Sequence, residues 1–303
     1  MEDLEKSIWQ TICWFSLFDY PMTSFEIWKW LWRPKQKYTL FAVRQKLEES
    51  QWLKSHLEND QGFYSRRQSS LSIQVLIKKR RRSFLDTVRK FKKVKKIIWW
   101  FNLLPMIKAV GVVNSMSWWQ TNKQSDIDLL VIVQPGYIWL ARLLLVTPFA
   151  WLKKRPGVSK EIDPFCFTFF ISQEKMNLEK ITDLEIDPYL IYWLWSVVPV
   201  FSRTNEWQQF FQANLWVKKY LPQTFMRAPH QELMRAGQNK KNYWPKFLNQ
   251  IAKKIQEKYF PELIKKMKNQ DSRVIVNDNM LKFHTEDRRQ ELKEAWKKLI
   301  DQG

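Results

Sequence analysis

Residues 125–133, SDIDLLVIV, constrain the fold more than any other stretch of the chain. Leu129 to Val133 form an almost unbroken apolar run, the pattern of a strand covered on both faces. Asp126 and Asp128 flank Ile127, so the two-residue period of a strand sends both carboxylates to one side. Like charges on one face repel unless something positive lies between them. A divalent metal ion is the simplest such charge.

At 303 residues the chain is long enough for two or three domains with cores of their own. Lysine and arginine total 51 against 30 acids, a formal +21 that favours polyanionic partners such as nucleotides, nucleic acid or an anionic surface. Glycine occurs only 6 times against 18 tryptophans and 20 phenylalanines, which points to a largely helical chain with aromatic cores. Cys13 and Cys166 are far apart and have no metal-ligand spacing, so a disulfide framework is excluded and a reducing cytoplasm is the expected compartment. The start, MEDLEKSIWQ, lacks the basic and apolar regions of a signal peptide. The apolar segments 137–152 and 189–201 fall short of the roughly 20 residues that cross a bilayer, and buried helices are expected there.

The pattern divides the chain into residues 1–75, 76–175 and 176–303. The first segment reads as three helices and a hairpin, the order of a winged helix-turn-helix. Thr23 and Glu26 form a capping box for the second helix, Leu40, Val43 and Leu47 mark the third, and ENDQG is the hairpin turn. Such a module either reads DNA through its third helix or packs against a neighbour. Arg44 and Lys46 on that helix are balanced by Glu48 and Glu49. Residues 77–98 carry eleven Lys or Arg and one Asp, with Ile77, Phe84, Val88, Phe91 and Ile98 at helical spacing. This basic amphipathic helix either holds a nucleic-acid backbone or presents a solvated face between domains. Attachment to an anionic membrane is disfavoured, because the apolar face is needed for packing. After it come a strand (107–113), a loop, the Asp-x-Asp strand, an apolar helix (136–152) and a third strand (163–172). From 176 onward helices are expected at 187–200, 206–220, 243–268 and 285–300, with an exposed linker at 227–242.

A strand, a Gly/Ser-type turn, about ten residues and then Asp-x-Asp opening a second strand resembles the nucleotidyltransferase superfamily with the DNA-polymerase-beta fold. The resemblance runs from Ile107 to Ile171, with Asn114 standing where that family usually has glycine. The whole chain is also similar to bacterial proteins that join a winged-helix-like N-terminus to such a domain, with FDYP near the start (18–21) and FH..D.R near the end (283–289). The resemblance implies an α+β fold with a central polymerase-beta-like mixed sheet, followed here by a helical C-terminal region. It implies that Asn114 and Ser115 contact the triphosphate of a nucleotide, that Asp126 and Asp128 bind Mg2+, and that an acceptor hydroxyl receives the nucleotidyl group. Active members also carry an acid on a later strand. Here 165–170 holds none, so Asp163, or Glu161, is either the third metal ligand or, for Asp163 before Pro164, a turn residue.

Two functional classes follow. One is a Mg2+-dependent nucleotidyltransferase with RNA or DNA among its acceptors; the other is a catalytically silent module that binds nucleic acid or protein. A membrane partner is not expected. His56, His230 and His284 are scattered, and His284 is read as the neighbour of a helix cap at Thr285. No Walker-type or GxGxxG loop is present.

Overall fold

A computed structural model describes residues 2–151, 163–182, 184–225, 235–238 and 241–303. The N-terminal module runs α1 (Asp3–Ser16), β1 (Met22–Thr23), α2 (Ser24–Lys29), α3 (Leu40–Glu49), α4 (Gln51–His56), β2 (Leu57–Asp60) and β3 (Phe63–Arg66). The Thr23 hydroxyl accepts from the Glu26 amide and the Glu26 carboxylate accepts from the Thr23 amide, the reciprocal cap that the sequence predicts. Gln61 and Gly62 both take positive φ and join β2 to β3 as a tight hairpin. The structure adds β1, which pairs with β3. It also makes Gln51–His56 helical where the pattern predicts the start of a strand, because the Ser50 hydroxyl caps that turn at the Leu53 amide.

The long helix α5 (Ile73–Leu103) leads into β4 (Ile107–Val112), α6 (Asn114–Ser117), β5 (Ile127–Val133), α7 (Ile138–Trp151) and β6 (Phe165–Ser172). Then follow α8 (Pro188–Ser196), β7 (Val198–Ser202), α9 (Glu206–Ala213), β8 (Arg235–Ala236), α10 (Phe247–Lys258), α11 (Glu262–Met267), β9 (Val274–Val276), β10 (Met280–Phe283) and α12 (Arg289–Asp301). The fold is α+β. One mixed sheet of seven strands, ordered β8-β7-β4-β5-β6-β10-β9, is flanked by helices. β5 lies antiparallel to β4 and parallel to β6.

The segment from 176 onward is therefore not helical throughout. α8 stops at Ser196 because Val197, Val198 and Pro199 follow, two β-branched residues and one that cannot continue a helix. VIVNDNMLKF is a hairpin, turned by the Asn277 side chain accepting from the Asn279 and Met280 amides at 2.9 and 2.8 Å. Pro261 divides the helix expected at 243–268 into α10 and α11, and α12 begins at Arg289 rather than Thr285. Of the expected linker, residues 227–234 and 239–240 lie outside the described residues.

Alternation along β5 separates two apolar cores. Ile127, Leu129, Val131 and Val133 pack with Phe91, Val94, Ile98 and Phe101 of α5 and with α7. Leu130 and Ile132 join Phe169, Tyr192, Trp296 and the module's Ile8, Ile12, Trp14, Trp30 and Trp32. Residues 1–75 thus share a core with the sheet and with α12. On the same side of β4, Gly111 lets Trp207 of α9 approach the strand, since a Cβ there would lie 2.5 Å from the Trp207 ring and 2.7 Å from Val197. On α5, Ile77, Phe91 and Ile98 are buried as their spacing predicts, but midway the buried positions are Ser83, Thr87 and Lys90. Phe84 is half exposed and stacks on Trp119 instead. No helix among the described residues is long and apolar enough to cross a membrane.

Candidate functional site

The turn after β4 brings Asn114 against Asp128. Asn114 has φ of 56°, a left-handed backbone that glycine favours and asparagine tolerates. Its side chain is engaged on both sides. The carbonyl accepts from Trp193 Nε1 at 2.8 Å and from the Tyr189 hydroxyl at 3.4 Å, both on α8. The amide donates to the Asp128 carboxylate. A glycine would supply the same backbone but not this bridge between α8 and β5. Ser117 secures the turn further, donating to the Asn114 carbonyl at 2.7 Å and meeting the Ser196 hydroxyl at 3.0 Å.

Asp126 and Asp128 stand at the start of β5, on the face turned toward the N-terminal module. Burial, then the neighbouring charge of Asp128, push the Asp126 carboxyl above its ordinary value, while Lys90 opposes. Burial also raises Asp128, against hydrogen bonds from Asn114 and the Cys166 thiol and the charge of Lys90. The positive charge that the pair calls for is thus supplied in part by the protein. Lys90, whose side chain is fully buried, donates to the Asn122 carbonyl at 2.7 Å and to the Ser125 carbonyl, and so holds the loop just before the pair.

Asp163 does not join Asp126 and Asp128 in a metal-binding group. It precedes β6 with φ of 66°, and its buried carboxylate is enclosed by Arg89, Lys93 at 2.6 Å and Lys90 at 3.3 Å. Burial alone would raise this carboxyl, but the hydrogen bonds from Arg89 and Lys93 and the charge of Lys90 hold it at about 2. Its lone pairs serve three cations of α5. In the sheet register the partner of Asp128 on β6 is Cys166. Burial, then the Asp128 charge, push that thiol up, so it stays protonated and acts as a donor. Glu161 lies outside the described residues. Among the described residues no group of three or more His, Cys, Asp or Glu side chains is placed to share a metal ion.

Two cavities meet at Asn114, Tyr189 and Trp193. The larger, about 830 Å³, lies between the N-terminal module, α5 and the 114–123 turn, and Ser115 lines it. Trp14, Phe15, Trp118 and Tyr192 form apolar walls, and Lys78, Arg82 and Lys123 bring positive charge to it. FDYP is tied to α5 and to the turn beside this cleft: Asp19 pairs with Lys79 at 2.6 Å, the Pro21 carbonyl accepts from Arg80, and the Phe18 carbonyl accepts from Gln120. The smaller cavity, about 350 Å³, holds Lys282, His284, Asp287 and Arg289 of the FH..D.R segment. There Arg289 bonds Asp187 at 3.2 Å, Ser272 and Asp287, which ties the start of α12 to α8. His284 contacts Thr168 at 3.5 Å and lies edge-on to Phe169, so it packs against β6, and the helix expected to be capped at Thr285 begins only at Arg289.

Four participants have no local signal in the sequence. Lys90 is one of eleven cations in a run, Cys166 sits in an aromatic strand, and Tyr189 and Trp193 belong to an apolar helix. Only the observation that Ser83, Thr87 and Lys90 recur at helical spacing would have marked a second, polar buried face. Comparison of the chain with protein-family models, curated proteins and solved structures returns no match.

Proposed function

We propose that the chain is a nucleotidyltransferase-like protein that binds a nucleoside triphosphate with Mg2+ and transfers its nucleotidyl group to an acceptor hydroxyl. The observation that carries this reading is the placement of Asp126 and Asp128 on one face of β5, beside an Asn114–Ser115 turn that opens onto an aromatic and basic cleft. The α5-β4-α6-β5-α7-β6 order, with one antiparallel and one parallel pairing, supports it as well.

The donor set fits one Mg2+ rather than two. Burial disfavours the charged form of both carboxylates, and the Asp128 charge adds to this at Asp126, so both gain from a divalent cation; Mg2+ is commonly held by one or two carboxylates together with substrate phosphates and water. Asp126 and Asp128 would hold the ion, which when bound neutralises phosphate charge and favours ionisation of the acceptor hydroxyl. Ser115 and the turn amides receive the triphosphate, and Lys78 and Arg82 draw it in from α5. The rings of Trp118 and Tyr189 give the base apolar faces to pack on. In the reaction the acceptor hydroxyl gives up its proton to water, its oxygen forms a bond to the α-phosphorus, the bond from that phosphorus to the β-phosphate oxygen breaks, and pyrophosphate leaves. With a +21 chain, RNA or DNA is the acceptor class favoured by charge.

Cys166 opposite Asp128 favours a second reading, in which the cleft binds nucleotide without transfer and the N-terminal module and α5 bind nucleic acid or protein. The exposed face of α3 carries Arg44, Gln45, Glu48 and Glu49, a mixed surface for reading DNA. Binding of labelled nucleoside triphosphates, with and without Mg2+, separates these. The first reading expects Mg2+-dependent binding that is lost in Asp126→Ala/Asp128→Ala, and label transferred to RNA or DNA. Binding without transfer to any acceptor selects the second, and no nucleotide binding by the wild-type chain removes the first and leaves a module that binds nucleic acid or protein.

A further inference from the structure

Helix α10 is fastened to the fold from one side. Asn249 accepts from the amides of Trp139 and Leu140 at 3.0 Å, the Gln256 side chain donates to the Trp139 carbonyl at 2.7 Å, and Ala252 is buried between them. These contacts fix the rotation of the helix about its axis. Facing away is a row of apolar side chains four residues apart, Phe247, Ile251 and Ile255, extended by Tyr243 before the helix and by Tyr259 and Leu263 after it. All six are exposed, from 42% at Ile255 to 82% at Tyr243. Alongside runs a second row at the same spacing, exposed Lys246, Gln250, Lys254 and Lys258. An exposed apolar row along a helix, prolonged by exposed apolar residues at both of its ends, marks an interaction surface, unlike apolar residues scattered singly.

We propose that α10 and the residues flanking it lie in the plane of an anionic lipid surface. Phe247, Ile251, Ile255 and Leu263 enter the acyl boundary, Tyr243, Trp244 and Tyr259 sit at headgroup level, and Lys246, Lys254 and Lys258 meet the lipid phosphates. Charge selects this occupant. Two copies of the chain meeting face to face would bring their lysine rows together, on molecules already at +21. Nucleic acid offers phosphates but no aliphatic surface for two isoleucines and a leucine. Aromatic rings at both ends of the row suit a boundary that is apolar on one side and wet on the other. The nucleotide site plays no part in this surface.

Sedimentation of the full chain with vesicles of phosphatidylcholine, alone or mixed with phosphatidylglycerol, tests the proposal. The wild-type chain is expected to pellet with the mixed vesicles and to be released as salt rises. Phe247→Ser/Ile251→Ser/Ile255→Ser is expected to lower the affinity roughly a hundredfold, because apolar insertion supplies much of the binding. Lys254→Glu/Lys258→Glu is expected to lower it roughly tenfold or more while leaving the apolar row intact. All five side chains point away from the core, and circular dichroism and Tm confirm that each variant is folded. Failure of the wild-type chain to pellet with either vesicle overturns the proposal. So does unaltered binding by the serine variant, or a dimer in solution that the serine variant disperses while neither chain binds vesicles.

Discussion

Replacing Asp163 by asparagine tests whether this carboxylate is a counter-ion or a metal ligand. Arg89 and Lys93 have side chains 41% and 39% exposed, so their pairings with Asp163 contribute little, up to about 1 kcal/mol each. Lys90 is different. Its side chain is fully buried, and removing Asp163 leaves that ammonium with Asp86 at 3.6 Å and two loop carbonyls. Breaking a buried pair commonly costs about 3–5 kcal/mol, and the remaining partners place this case near about 3 kcal/mol. Urea unfolding at pH 7 should show Asp163→Asn destabilised by that amount. The carboxyl is held at about 2 in the folded chain against an ordinary 3.8, so its stabilisation is complete above both values and is lost as pH falls through them. The gap between wild type and variant should therefore narrow from about pH 5 downward and nearly close by about pH 2. An Asp163→Asn chain with wild-type stability at pH 7 that has lost Mg2+-dependent nucleotide binding would refute this assignment and return Asp163 to the metal.

Two further substitutions probe the turn and the strand beside it. Asn114→Gly keeps the left-handed backbone but orphans Trp193 Nε1, whereas Asn114→Ala adds backbone strain of about 1 kcal/mol, so chemical denaturation should rank wild type above glycine above alanine. Cys166→Asp places a third acid next to Asp128 in the sheet register; it should lower Tm without divalent cations through like-charge repulsion and recover most of the loss when Mg2+ is added. Equal Tm values with and without Mg2+ would count against a metal at Asp126 and Asp128.

The sequence carried the elements whose signals are local. Thr23 and Glu26 announced a helix start, the apolar run after Asp128 announced a covered strand, and ENDQG announced a hairpin turn. β7 was hidden because Val198 to Ser202 continues the apolar run of α8, and periodicity cannot divide a buried helix from a buried strand. The two-residue spacing of Asp126 and Asp128 announced a pair of neighbouring acids, but not what would oppose their charge. Lys90 answers from a helix more than 30 positions earlier, and the same helix pairs three cations with Asp163. Charge pairing across such separations leaves no trace in local pattern. The α10 row was legible in principle at a spacing of four, yet only the buried Asn249 and Gln256 reveal which side of that helix remains uncovered.

The packing of α1 on α12 has a consequence for how the chain folds during synthesis. Trp9 donates to the carbonyl of Ile300, 291 positions away, and Trp14 and Trp32 lie edge-on to Trp296. The N-terminal module is therefore made long before α12 and cannot complete its core until α12 follows. Until then its tryptophan-lined face stays open, long enough to invite chaperone capture or mispairing between nascent chains. Truncation before α12 should accordingly damage the first helices most, although they are the farthest from the cut in sequence.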